Sequence, residues 1–161
     1  MKRIFLHPAR ENRMTNWLMR CLGLIALLAL APQAFADAPR RVVSFNLCAD
    51  QLVVALADPE QIAGLSPYAT DPVLSVVADK AKAFRKLDWQ AETTIPLQPD
   101  LVLIGSWDRP VTRRMLTRLG FRVMAIDLVA DLDAAKAEIR TVAGLLGHPE
   151  RGEAMIAELE A

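Results

Sequence analysis

The chain has 161 residues, of which 53% are hydrophobic and 6% aromatic, a composition typical of a globular protein and not of a disordered one. The formal net charge is zero, but the part beyond residue 36 carries 14 basic and 18 acidic side chains. This acidic balance argues against a nucleic-acid-binding protein and against electrostatic attachment to anionic lipid. The roughly 125 residues beyond position 36 are enough for one domain.

The N-terminal segment has the pattern of an export signal. Its unbroken apolar run, Cys21–Ala31, is shorter than the roughly 20 residues that a membrane-spanning helix needs. The later Ala-Phe-Ala places small residues where a signal peptidase recognises them, which predicts cleavage after Ala36. The start can be Met1 or Met14. We expect residues 1–36 to be a signal peptide, the alternative being a membrane anchor or a buried helix.

The rest of the chain alternates strand and helix patterns. Short runs rich in branched aliphatic residues predict strands at 41–45, 62–65, 101–104 and 122–126. Amphipathic spacing, caps and prolines predict helices at 50–56, 72–82, 91–97, 110–119, from 131 or 133 to 146, and from 149 onward. The run Leu101–Ile104 does not alternate, which is typical of a strand buried on both faces. The alternation predicts an α/β fold with a parallel sheet flanked by helices.

Helical periodicity also predicts which side chains face the core. In the helix that begins at Pro110, these are Val111, Met115, Leu116 and Leu119, with Gly120 as the C-cap and Arg113, Arg114 and Arg118 in solvent. In the two last helices they are Ile139, Val142, Leu145, Leu146, Met155, Ile156 and Leu159. Gly147 is expected to end the first of these two helices.

Few residues suited to catalysis or metal binding follow the predicted signal peptide. Cys48 and His148 are the only residues of their types there, too few for a zinc site. We expect Cys48 to be buried, the alternative being a pairing outside this chain, and His148 to be a solvated turn residue. Ser106 lacks the flanking glycines of a nucleophile elbow, and no glycine-rich phosphate loop follows a strand. We therefore expect neither catalysis nor a resident cofactor or metal.

Loops that follow the first three strands are the candidate binding site, because ligands of open parallel sheets bind at the carboxyl ends of the strands. These loops span residues 45–50, 66–71 and 105–109. Their aromatic and cationic side chains suit a large, flat, partly polar ligand, although packing within each loop is the alternative, especially for Phe45. The candidate ligand-binding residues are Asn46, Leu47, Tyr68, Gly105, Ser106, Trp107 and Arg109.

Three stretches of the sequence resemble the periplasmic binding proteins of ABC importers that carry cobalamin, iron–siderophores or haem. They are Arg41 to Leu52 with the Ala-Gly-Leu-Ser-Pro-Tyr segment that ends at Tyr68, Glu92 with Leu97 to Val102, and Leu119 to Val123. The resemblance implies a Rossmann-like N-terminal lobe over residues 37–147. It also implies that residues 148–161 begin the helix joining two lobes, the C-terminal lobe being absent.

The resemblance also implies roles for single residues. Tyr68 falls where vitamin B12-binding members place a ligand-contacting tyrosine, and the loop Gly105 to Trp107 falls where they have a lining tryptophan. Glu92 falls on a surface glutamate that docks against permease arginines; as an acid at a helix N-terminus it would also interact favourably with the helix dipole. Members that bind bare zinc or manganese use histidines in these loops, so their absence here argues for an already-chelated metal.

The implied function is that of a monomeric periplasmic solute receptor without catalysis. It would capture cobalamin, a ferric siderophore or haem and deliver it to an ABC permease and its ATPase. The alternative is a stand-alone flavodoxin-like α/β enzyme or small-molecule domain, which would need a nucleophile, a base or a phosphate loop that the sequence does not show. A structural envelope protein is a third possibility without a positive feature in the sequence.

Overall fold

Four parallel strands form a sheet in the computed structural model, which describes residues 38–161. The strands are β1 (Val42–Ser44), β2 (Ile62–Gly64), β3 (Leu101–Gly105) and β4 (Val123–Ile126), in the order β2-β1-β3-β4. The register pairs Val42 with Leu101 and Val102 with Val123. The predicted parallel α/β sheet is therefore confirmed. The predicted signal peptide, residues 1–36, lies outside the described residues.

Helices follow the strands along the chain. In residues 38–161 they are α1 (Leu47–Leu56), α2 (Ala78–Ala81), α3 (Ala91–Thr94), α4 (Pro110–Arg118), α5 (Leu132–Leu146) and α6 (Pro149–Leu159), with 3₁₀ turns at Pro59–Gln61 and Ile95–Leu97. In this part of the chain, no helix combines the length and the apolar character that crossing a membrane requires.

The sheet separates two hydrophobic clusters, as expected for side chains that alternate between its faces. Val42 and Leu103 pack on one face with apolar residues of α1, α5 and α6. Val43 and Ile104 pack on the other face with residues of α3 and α4. All four residues of Leu101–Ile104 have no exposed surface, so the predicted burial of this strand on both faces is confirmed.

Caps fix the helix ends that border the sheet. The Asn46 side chain caps α1, so this helix begins at Leu47, three residues before the predicted start. Of the two candidate caps of α5, it is Asp131 whose carboxylate accepts a hydrogen bond from the Ala134 N–H. Gly147 ends α5 with φ of 87°, a left-handed conformation that favours glycine.

The predicted helix over 72–82 is wrong except for its end. The Asp71 carboxylate accepts from the Val73 N–H at 2.8 Å, as a helix cap would. The chain then forms turns, and only Ala78–Ala81 is helical. The Ser75 hydroxyl accepts from the Val77 N–H at 3.3 Å, a local bond that competes with the helical ladder. Val73 and Val76 in these turns are each 89% exposed, so no apolar stripe holds a longer helix on the core.

The predicted apolar face of α4 is only partly buried. Leu116 is buried, but Val111 and Leu119 are 69% and 54% exposed. Leu119 is the C-cap, and Gly120 follows it with φ of 85°. Arg113 was expected in solvent, but it is half-buried and donates to the Ser106 carbonyl at 2.9 Å. In α6, Ile156 is buried as predicted, whereas Leu159 is exposed.

Polar contacts hold the start of α6 against the rest of the domain. Arg151 donates to the Asp58 carboxylate at 2.6 Å and to the Leu56 carbonyl at 2.9 Å. His148 Nε2 lies 3.2 Å from Gln61 Oε1 and 3.3 Å from Asp58 Oδ2. The expectation of a solvated His148 is therefore wrong, because the side chain is largely buried among these partners. The Arg151 hydrogen bond, with a smaller contribution from His148, lowers the pKa of Asp58.

Candidate ligand-binding site

A cavity of about 300 Å³ lies where β1 and β3 end and the loop after β2 begins. The strands are parallel, so their carboxyl ends meet at one edge of the sheet, where ligands of such folds bind. Residues from three loops and from the segment before α3 line this cavity: Phe45, Asn46, Leu47, Tyr68, Trp89, Asp108 and Arg109. The structure thus brings four of the seven predicted ligand-binding residues together.

Asn46 joins two of the loops. Its side-chain oxygen accepts hydrogen bonds from the Cys48 and Ala49 N–H groups, and its Nδ2 donates to the Asp108 carboxylate at 2.8 Å. A Cβ atom at Gly105 would lie 2.8 Å from Asn46 Nδ2 and closer still to the Asp108 carboxylate. Gly105 is therefore needed to let these side chains meet. The Asn46 amide keeps one N–H that the hydrogen bond to Asp108 does not use.

A buried carboxylate fixes the loop that carries Tyr68. Asp50 in α1 accepts from the Ser66 hydroxyl at 2.5 Å and from the Ser66 N–H at 3.1 Å. The Ser66 hydroxyl oxygen in turn accepts from the Tyr68 N–H at 3.2 Å. Burial raises the pKa of Asp50, and hydrogen bonds from Ser44 and Ser66 oppose this effect only partly. Tyr68 is thereby held at the mouth of the cavity with 46% of its surface exposed.

Trp89 is at the centre of an aromatic cluster in the cavity. Its ring centroid lies 5.3 Å from that of Tyr68 and 6.5 Å from that of Phe45, both in tilted arrangements. The Arg109 guanidinium carbon lies 4.4 Å from the Trp89 ring centroid, within the range of a cation–π interaction. Phe45 is fully buried, in line with its expected core packing, and supports Trp89 from below the cavity surface.

Trp89 was not among the predicted site residues. It lies between two predicted helices, in a segment whose sequence shows neither helix nor strand periodicity. A parallel bridge between Leu65 and Lys86 places this segment beside the end of β2, with the Leu87 N–H donating to the Leu65 carbonyl at 2.9 Å. The sequence signal that could have identified Trp89 is the presence of a tryptophan in an unassigned segment just before a predicted helix.

The other predicted ligand-binding residues line an adjoining cavity of about 140 Å³. Gly105, Ser106 and Trp107 border it, and Asn46 and Asp108 border both cavities. Trp107 is 84% exposed, so it packs neither on its own helix nor in the aromatic cluster. The Ser106 hydroxyl donates to the Asp127 carboxylate, and Ser106 N–H donates to the Ile126 carbonyl at 3.1 Å. These bonds hold the loop after β3 against the end of β4.

Cys48 is exposed, so its expected burial is wrong. It lies in the first turn of α1, whose buried residues are Ala49, Asp50, Val53 and Leu56. Cys48 falls outside this stripe. It borders the smaller cavity and an apolar cavity of about 300 Å³ formed by residues of α1, β4 and α5.

Glu92 lies in the first turn of α3, three residues after Trp89, and is exposed. Such a position suits both interpretations of this residue, a surface contact and an acid near a helix N-terminus. Pro96 follows in the 3₁₀ turn, so the helical segment 91–97 changes from α to 3₁₀ geometry after Thr94. The predicted helical turns over 91–97 are thus confirmed.

The chemistry available at this edge of the sheet is that of binding. Aromatic rings supply apolar surface, Arg109 supplies a positive charge, and the Asn46 amide supplies a hydrogen-bond donor. Within residues 38–161, no group of three or more His, Cys, Asp and Glu side chains is arranged to hold a metal ion.

Solved structures with the same fold include several periplasmic binding proteins. The haem-binding protein RhuT from Roseiflexus sp. RS-1 is 28% identical, with a TM-score of 0.61 over 75% of this chain and 46% of that one. The haem-binding protein BhuT, solved with two haems, is 25% identical, with a TM-score of 0.64 over 77% and 47%. The vitamin B12-binding protein BtuF of Vibrio cholerae shares the fold at 20% identity, with a TM-score of 0.61 over 76% and 47%.

The chain spans a little under half the length of these relatives. A search of curated protein sequences gives no significant match. The family model described as periplasmic binding protein matches residues 42–161, which is most of the chain and all four strands of the sheet. The protein therefore belongs to the periplasmic binding protein family.

Proposed function

We propose that this chain is the N-terminal lobe of a periplasmic receptor that captures a chelated metal and delivers it to an ABC permease. The candidate ligands are haem, cobalamin and ferric siderophores. The similarity to proteins named for haem or B12 binding supports this class of ligand. The observation that carries the proposal is the cavity in which Tyr68, Trp89 and Arg109 meet at the carboxyl edge of the sheet.

The size and chemistry of the cavity favour part of a large ligand over a complete small one. A volume of about 300 Å³ lies at the lower end of the range for small-molecule sites, and the tyrosine ring at its mouth is half exposed. A bulky planar chelate would bury the exposed Tyr68 and extend toward Trp107 across the shared residues Asn46 and Asp108. The Arg109 charge and the Asn46 amide would pair with polar groups at the edge of the ligand.

The remaining features of the proposal concern the whole receptor. Residues 1–36 would direct export to the periplasm, residues 37–147 would form the binding lobe, and residues 148–161 would begin the helix toward a second lobe. The receptor would act as a monomer, and Glu92 would contact the permease, which works with its ATPase. The family and its solved relatives are binding proteins, and no observation in the described residues favours the alternative of a flavodoxin-like enzyme.

Equilibrium titration of the full chain tests the proposal. Ferric haem, cyanocobalamin and ferrichrome are each titrated by calorimetry and by absorbance, and we expect saturable binding of at least one. Tyr68→Ala should weaken that binding by about 1–3 kcal/mol, because the ring loses its contact with the ligand. Val111→Ala removes an exposed side chain on α4, outside both cavities, and should leave the chelate affinity unchanged. Failure of all three chelates to bind, or full affinity in Tyr68→Ala, would contradict the proposal.

A further inference from the structure

Arg109, whose side chain borders the cavity, has an unusual backbone conformation. Its φ of 46° and ψ of 56° lie in the left-handed region, which costs free energy for a residue other than glycine. Pro110 disfavours the right-handed helical conformation for the residue before it, and it also starts α4. In this conformation the Arg109 side chain lies over the Trp89 ring.

The Trp89 ring holds the guanidinium by its face. With the guanidinium carbon 4.4 Å from the ring centroid, no flat ligand fits between the two groups. A contact with a ring face forms no N–H···O bond, so the N–H donors of Arg109 remain for an anion. The guanidinium presents these donors in the fork geometry that pairs with a carboxylate through two parallel hydrogen bonds.

The positive charge of Arg109 has no counterion within the described structure. Among residues 38–161, the ion pairs within 4.0 Å involve other basic side chains and none includes Arg109. The nearest acid in sequence, Asp108, accepts from Asn46, and Asp127 accepts from Ser106. Asp108 and Asp127 are thus committed to holding loops together, and among the described residues no carboxylate forms an ion pair with Arg109 within 4.0 Å.

We propose that Arg109, positioned by Trp89, selects metal chelates that carry carboxylate groups over chelates whose edges are uncharged. This inference rests on the proposed function and names the ligand class of the same site. Porphyrin propionates and carboxylate-bearing siderophores belong to the selected class, whereas the amide groups around a corrin ring do not supply the charge. Trp89 is then a positioning residue for Arg109, and Tyr68 supplies the exposed aromatic surface for the ligand.

The test compares ferric protoporphyrin IX with its dimethyl ester, which differs only in its two carboxylates, in one detergent buffer with the full chain. We expect the wild type to bind the diacid roughly tenfold or more tightly than the ester. Arg109→Gln should bring this ratio close to one by weakening only the diacid. Trp89→Leu should reduce the ratio although Arg109 is present. Arg114→Gln, which removes an exposed arginine of α4 outside the cavity, should preserve the ratio.

Each outcome bears on a different claim. Equal binding of diacid and ester by the wild type, or an unchanged ratio in Arg109→Gln with native circular dichroism, would overturn the inference and leave the proposed function standing. Binding of cyanocobalamin but of neither porphyrin would have the same effect. Binding of none of the chelates would overturn both. A reduced ratio in both the Arg109→Gln and the Trp89→Leu variants supports the inference, including the positioning role of Trp89.

Discussion

Asn46 Nδ2 donates a hydrogen bond of 2.8 Å to the Asp108 carboxylate across 62 positions of sequence. The same Asn46 side chain caps α1 through its oxygen, so one amide fixes a helix start and joins the loops after β1 and β3. The residue beside Asp108 is Arg109, which contacts Trp89. The position of the aromatic cluster therefore depends on this pair, and the pair depends on the absence of a side chain at Gly105.

Gly105→Ala should disrupt the site and destabilise the fold. The added Cβ would lie 2.8 Å from Asn46 Nδ2, at the end of a fully buried strand, so the loops must separate. We expect a loss of about 1–3 kcal/mol in the free energy of unfolding, measured in urea, and weaker chelate binding. Gly144→Ala is the matched control, because it meets nothing within 4 Å and lies in α5. The control should gain roughly 0.5–1 kcal/mol in the free energy of unfolding. Equal changes in the two variants would refute the packing argument.

Asp50→Asn should change how stability depends on pH. Burial raises the pKa of Asp50 above 3.8, so between 3.8 and the raised pKa the folded protein holds a proton that the unfolded chain has lost. The wild type therefore loses stability as pH rises through this window, and above it the loss is constant. The variant does not titrate there, so its stability relative to the wild type should increase with pH. Urea unfolding from pH 3.5 to 7 measures this, and a difference that does not vary with pH would count against it.

Asp58→Asn should show the opposite dependence on pH. The Arg151 hydrogen bond lowers the pKa of Asp58, so its stabilising effect is fully present above 3.8 and is lost as pH falls through the lowered value. The variant should be less stable than the wild type at pH 7, and the two should converge in strong acid. Thermal unfolding at pH 7, 4 and 2.5 measures the difference. Glu158→Gln, an exposed change in α6, should match the wild type throughout; a gap that persists in acid would rule out this origin.

Glu92→Arg should separate binding from transport. Glu92 is exposed at the start of α3 and lines neither of the two site cavities, so chelate affinity in the purified full chain should be unchanged. Uptake of labelled chelate by cells that contain the permease should fall at least about tenfold, because a charge reversal at a docking contact costs several kcal/mol. Glu60→Arg reverses an exposed charge at the amino end of β2 and should leave uptake intact. Normal uptake by Glu92→Arg would remove this residue from the permease contact.

Strand patterns predict the fold and much of the site, because the carboxyl ends of parallel strands meet whatever the loops contain. This geometry places Tyr68 near Asn46 and Arg109 without knowledge of any contact. The same reasoning does not predict Trp89. A single backbone bridge between Leu65 and Lys86, which lie in different segments of the sequence, brings Trp89 to the site. Backbone contacts of this kind depend on tertiary structure and leave no local periodicity.

Helix starts account for the errors over Cys48 and residues 72–82. An early start of α1, capped by Asn46, turns Cys48 outward, whereas the expectation of burial rested on the usual behaviour of a free cysteine as a small hydrophobic residue. After Asp71 come a serine and two exposed valines, which cannot hold a helix on the core. The burial of His148 was not predicted because its partners Asp58 and Gln61 are distant in sequence. Local patterns show where a helix can begin, and packing decides how far it continues.

Two-dimensional NMR of the full chain tests most directly whether the Tyr68–Trp89–Arg109 cavity receives the ligand. Backbone and indole N–H signals are followed during titration with two diamagnetic chelates, zinc protoporphyrin and cyanocobalamin. We expect one of them to shift the signals of Asn46, Tyr68, Arg109 and the Trp89 indole together, while those of His148 and Arg151 at the start of α6 stay in place. Shifts confined to α4 or α6 on saturable binding of either chelate would contradict the assignment of this site.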